Sequence, residues 1–134
     1  MFRGCLALVI GIGIGACGPK AGPVKPRVDT ARLARALHDD LLELGAIARR
    51  HRGDCATLVP ALRPHVEVMR AHAGEVKAAL EDPAIARQLR ADVRAYDAEH
   101  RGVADAIGED LGASYVTCKD NAELPDLIDR IPEL

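Results

Sequence analysis

Residues 55–80, CATLVPALRPHVEVMRAHAGEVKAAL, carry the pattern from which the fold is read. Cys55, Val59, Leu62, Val66, Met69, Ala73, Val76 and Leu80 recur at alternating steps of four and three. That spacing is a heptad seam, the pattern of a helix that buries one stripe against neighbouring helices. Asp54 stands before it as an N-cap. Pro60 and Pro64 interrupt it; each deletes a backbone hydrogen bond and crowds the preceding turn, so a kink or a break is expected there.

Working outward, Leu33, Leu37, Leu41, Leu44 and Ala48 repeat at the same period upstream. A helix beginning at Asp29 or Thr30 and stopped by Gly53 is expected, with Arg49, Arg50 and Arg52 at its negative end. Downstream, Asp82-Pro83 reads as a cap followed by proline at the first helical position. Ile85, Leu89, Val93, Tyr96, His100, Val103, Ile107, Leu111, Tyr115 and Cys118 then form one stripe, with Gly102, Gly108 and Gly112 as points of bending. Asp120-Asn121-Ala122-Glu123 resembles a capping box ahead of a short helix carrying Leu124, Leu127, Ile128 and Ile131 and stopped by Pro132.

The predicted fold is therefore all-α: an antiparallel bundle of three long helices plus a short C-terminal helix. Folding the second helix on the third about residue 82 sets Cys55 opposite residue 109 or so. Cys118 overshoots by roughly 13 Å at 1.5 Å per residue. A bond between these cysteines therefore needs the proline kinks, a glycine bend or an early end to the third helix.

The N-terminal stretch is of a different kind. Arg3 precedes the apolar run Leu6-Ala7-Leu8-Val9-Ile10, and Ile14-Gly15-Ala16-Cys17 closes it ahead of Gly18-Pro19. The run is too short to span a bilayer and has the layout of an export signal. This window resembles the precursor of a bacterial lipoprotein, over residues 1–18. The resemblance implies cleavage after residue 16 and acylation of Cys17, with diacylglycerol on the thioether and palmitate among its chains. Gly18 in place of Asp implies the outer membrane, on its periplasmic face. An ordinary cleaved signal or an uncut anchor are the competing readings. Residues 17–28 then form a lipidated, Pro- and Gly-rich tether with a reach on the order of 30 Å, and 29–134 the bundle domain.

Export bears on the cysteines. With Cys5 lost in the leader and Cys17 acylated, Cys55 and Cys118 remain. In an oxidising compartment two thiols in one small domain most simply form a disulfide, contributing about 3–4 kcal/mol on loop-closure entropy. Cys-x-x-Cys is absent, which argues against a redox pair; metal ligation and free thiols stay open beside the disulfide.

Composition excludes several classes. The chain has 18 basic and 20 acidic side chains, no Trp and two Tyr, which does not suit nucleic acid. Gly13-Ile14-Gly15-Ala16-Cys17-Gly18 fits G-x-G-x-x-G, but no strand alternation follows it to build a dinucleotide site. Ser114, the sole serine, lacks a nucleophile elbow, and no His-Glu-x-x-His occurs, so no enzymatic activity is expected. His65, Met69 and His72 fall at i, i+4 and i+7 on the second helix, with His38 and His100 within about a turn of the same layer. Imidazole with thioether suits copper or haem iron. Met69 equally fills a core seam, and His65 and His72 flank it toward water, whereas His100 has the best claim to burial. The reading is a lipid-anchored envelope protein, non-enzymatic and without cofactor, binding an envelope partner or serving structurally. A copper- or haem-binding bundle is the alternative.

Overall fold

The computed structural model describes residues 27–133. The leader, Cys17 and most of the tether lie outside the described residues. Five helices follow one another: α1 (Thr30–Arg50), α2 (Cys55–Leu80), α3 (Pro83–Glu99), α4 (Val103–Thr117) and α5 (Glu123–Asp129). There is no strand among the described residues, and no helix there is long and apolar enough to cross a membrane.

The helix starts follow local chemistry. Asp29 accepts from the Arg32 amide, Asp54 from Thr57, and Asp82 from Ala84 and Ile85 with Pro83 at the first position. Gly53 closes α1 with φ +81°, a left-handed value natural to glycine. The terminal cap differs from the expected box: the Asn121 side chain, rather than Asp120, accepts from the Glu123 and Leu124 amides.

α2 does not break in two at the prolines, since Cys55–Leu80 is one helix with Pro60 and Pro64 inside it. Both prolines are exposed, as is Ala56. The carbonyls of Ala56 and Pro60, which lose their amide partners, therefore face water, and hydration offsets the missing bonds.

The expected long third helix is two helices. Gly102, φ +82°, follows the His100 C-cap of α3, and α4 starts one residue later. The break resets the helical phase. Ile107, Asp110 and Ser114 face inward from α4, whereas Tyr115, expected on the inner stripe, is 45% exposed. It also removes the overshoot: α4 packs back across α1, and Cys118 meets Cys55 in a disulfide with Cα atoms 5.5 Å apart.

α1 is the hub, packing against α2, α3 and α4, while α2 also meets α3 and α5. Two apolar cores result. The larger joins Leu44 and Ile47 of α1, Leu58, Leu62, Val66 and Met69 of α2, Ile107, Cys118, and Leu124 and Leu127 of α5. The smaller joins Leu33, Ala34, Ala79 and Leu89, flanked by Val76, Ile85, Val93 and Tyr96. Arg63–Glu123 and Arg130–Glu67 ion pairs tie α5 to α2 at the surface, where such pairs add little.

Gly45 sets the approach of α4 to α1. A Cβ there would stand 2.7 Å from Ile107 Cγ1, too close without a shift of the packed side chain. Gly45→Ala is therefore expected to destabilise by about 1–2 kcal/mol net, overpacking outweighing the helix-propensity gain of about 0.5–1 kcal/mol. Gly74 meets nothing within 4 Å, so Gly74→Ala is expected to stabilise by about that same gain. Urea midpoints of the two variants, moving in opposite directions, check this.

Asp110 anchors the same interface by accepting from Arg49 (2.8 Å) and from Arg52. The Arg49 hydrogen bond, against the cost of burial and with Arg52 in support, holds its carboxyl below the usual range. A group with a lowered folded pKa contributes stability above its unfolded value near pH 4, and that stability is lost as pH falls through the folded value. Asp110→Asn is expected to narrow the gap between urea midpoints at pH 7 and pH 3; an unchanged gap would assign acid sensitivity elsewhere.

Candidate functional site: a histidine layer between two cores

Between the two cores lies one polar turn of α1, residues 37–41. His38 and Asp40 are both more than nine-tenths buried, at 8% and 5% exposure. They face different neighbours.

Asp40 serves α2. Its carboxylate accepts from His72 Nδ1 at 2.7 Å, and its main-chain oxygen accepts from His65 Nε2 at 2.8 Å. Neither acceptor carries a proton to give when Asp40 is ionised. The contacting nitrogen of each ring must then be its N–H, which fixes His65 as the Nε2–H form and leaves its Nδ1 turned elsewhere. Met69 is 1% exposed and belongs to the larger core. The i, i+4, i+7 run thus divides by role: two rings clasp Asp40 and the thioether fills the core. No group of three His, Cys, Asp or Glu side chains placed to hold a metal occurs among the described residues.

His38 serves α3. Its ring centre lies 4.2 Å from that of His100 and 5.6 Å from that of Tyr96. Tyr96 is pinned across the helix pair by Arg35 Nε, which donates to its hydroxyl at 2.7 Å. Thr30 donates to Asp92, and Gln88 meets the second Asp92 oxygen, fastening the same interface at its end. The His100 Nδ1–H donates to the Tyr96 carbonyl at 2.9 Å. His100, expected to be buried, is exposed because it sits at the C-cap where α3 ends; His38 is the buried member of the pair. His38 Nε2 is buried without a hydrogen-bond partner.

Beside His38 runs a groove of about 510 Å³ between α1, α3 and the end of α2. Its walls are Leu37, Leu41, Val76, Leu80, Leu89 and Val93, and Arg90, Arg94 and Asp97 stand among them. Leu80, expected on the seam, is 41% exposed at this opening, and Ala79 is buried in its stead. A second recess of about 310 Å³ continues past His38 and His100 toward the α3–α4 turn, where Asp97 and Asp105 line it. Ser114 is remote from both: it is buried in α4, and its hydroxyl donates to the Asp110 carbonyl.

Asp40 is the residue the sequence reading passed over. The signal was present: Leu33, Leu37, Asp40, Leu44 and Ile47 step by four and three, placing a carboxylate on an otherwise apolar seam. Such an acid needs a hydrogen-bonding partner, and His72 supplies it, while His65 takes the main-chain oxygen of the same residue.

Over the described residues these features define an all-helical domain of five helices with one disulfide and a histidine-bearing turn beside an apolar groove. No family model, no curated protein and no solved structure matches the chain.

Proposed function

We propose that this is a lipid-anchored protein of the bacterial cell envelope whose helical domain binds an envelope partner through the α1–α3 groove and carries out no catalysis. The groove is the observation that carries the binding role. Its volume falls in the range of recognition sites, and apolar walls with a few charged groups at the opening are the usual composition of such sites. Aliphatic side chains of a partner helix or extended segment suit Leu37, Leu80 and Val93, and acidic flanking residues suit Arg90 and Arg94. The anchor is carried by Cys17 and its apolar leader, and Gly18 favours the outer membrane as destination. The Pro-rich tether then holds the groove within on the order of 30 Å of the lipid surface.

Two measurements test the reading. A photo-crosslinking residue at Val93 in intact cells is expected to capture a discrete envelope protein, while one at exposed Gly112 on α4 is not. Equal or absent capture at both positions removes the groove from consideration. Incorporation of labelled palmitate, abolished in Cys17→Ala, is expected; label that survives this substitution defeats the anchor.

A further inference from the structure

We propose that His38 and His100 form a two-imidazole site for a divalent transition-metal ion that prefers tetragonal geometry, with Cu(II) the best fit. Three observations converge on these two rings. His38 is more than nine-tenths buried, and its Nε2 has no hydrogen-bond partner, an uncommon condition for a buried polar atom. His100 donates its Nδ1–H to the Tyr96 carbonyl, which leaves Nε2 with a free lone pair; a backbone carbonyl on the second nitrogen is the usual support of a metal-bound histidine. The two rings lie 4.2 Å apart, tilted by 43°, and both line the recess at the α3–α4 turn, where Asp97 and Asp105 also stand.

The ring separation selects among metals. A metal–nitrogen bond of about 2.0 Å places the ion about 3.2 Å from each ring centre. Centres 4.2 Å apart then subtend about 82° at the ion, close to the right angle of neighbouring ligands in a tetragonal complex. Tetrahedral zinc would set the centres about 5 Å apart, and haem held between the rings would need more than about 6 Å. With both Nε2 atoms turned to one ion, the spacing of the ring centres therefore suits copper(II) or nickel(II) and is too short for haem held between the rings. Two imidazoles leave coordination positions for water, and the recess of about 310 Å³ has room for it. His65, Met69 and His72 take no part, since Asp40 engages the two rings and the core holds the thioether.

The site is tested by titrating Cu(II) into the full-length chain, with free thiols blocked by N-ethylmaleimide, and following calorimetry and electron paramagnetic resonance. One equivalent is expected, with a tetragonal spectrum split by imidazole nitrogens. His38→Gln and His100→Gln are each expected to weaken binding at least about tenfold, the lower end of what removing a group that supports a metal site costs. His51→Gln and His65→Gln are expected to leave it within twofold. His100 is exposed and its ring hydrogen bond stays within its own helix end, so His100→Gln keeps the fold and decides the matter even where His38→Gln does not fold. Absence of stoichiometric binding, a spectrum without imidazole nitrogen, or affinity undiminished in His100→Gln overturns the proposal.

Discussion

Reduction of the Cys55–Cys118 bond is expected to lower the stability of the domain by about 3–4 kcal/mol and its melting temperature by on the order of 15 °C. The bond spans a sequence separation of 63 residues and closes a loop containing α2, α3 and α4. An unfolded chain without it gains the conformations that closure forbids, and the gain grows with the logarithm of loop length. Cys118 is also 2% exposed and belongs to the larger core, touching the region where α5 packs. Loss of the bond therefore acts on both states: it frees the unfolded chain and loosens the end of α4 against α2.

The loosening should be local before it is global. Amide exchange after reduction is expected to rise first in α4 and α5, while the α1–α3 interface around Leu33, Ala34 and Leu89, remote from the cysteines, keeps its protection. Circular dichroism melts with and without a phosphine reductant measure the first effect, and Cys55→Ser reproduces it without reductant. A melting temperature unchanged by either treatment would mean that the helical packing alone holds α4 in place.

The helices were legible because their boundaries rest on nearest-neighbour chemistry. Asp29, Asp54 and Asp82 are caps by residue type, and Gly53 sits where a left-handed turn is required. The disulfide was legible from its two residues and its implied compartment, though not its route. What closes the 13 Å overshoot is the break at Gly102, and sequence could not separate a bent glycine-bearing helix from two helices, because the apolar stripe runs through the break in register. Tyr115 and Ser114 then exchange places, since phase after a break is set by tertiary packing. The layer was also partly legible: His38 of α1 is expected within about a turn of His65, and His65 contacts the nearby Asp40. What periodicity could not supply was the division of the histidines into two pairs, which depends on Asp40 drawing His65 and His72 toward α1.

That division carries its own energetic signature, and His72→Ala is expected to cost more than Asp40→Ala. The Asp40 side chain is 7% exposed and the His72 side chain 24%. When Asp40 is removed, the imidazole it leaves behind still reaches water. When His72 is removed, the carboxylate stays between two apolar cores with a hydrogen bond missing. Stranding the more buried member of a pair is the costlier loss, here about 2–3 kcal/mol against about 1–2 kcal/mol for Asp40→Ala. The double variant should fall near Asp40→Ala, because no charge is left to strand, giving a coupling of about 2–3 kcal/mol in the double-mutant cycle. Urea denaturation of the four proteins at pH 7 measures it. Should Asp40→Ala prove the worse of the two, the carboxylate acts mainly through what it packs against, and the clasp on α2 rests on His65 and the main-chain oxygen it shares with the helix.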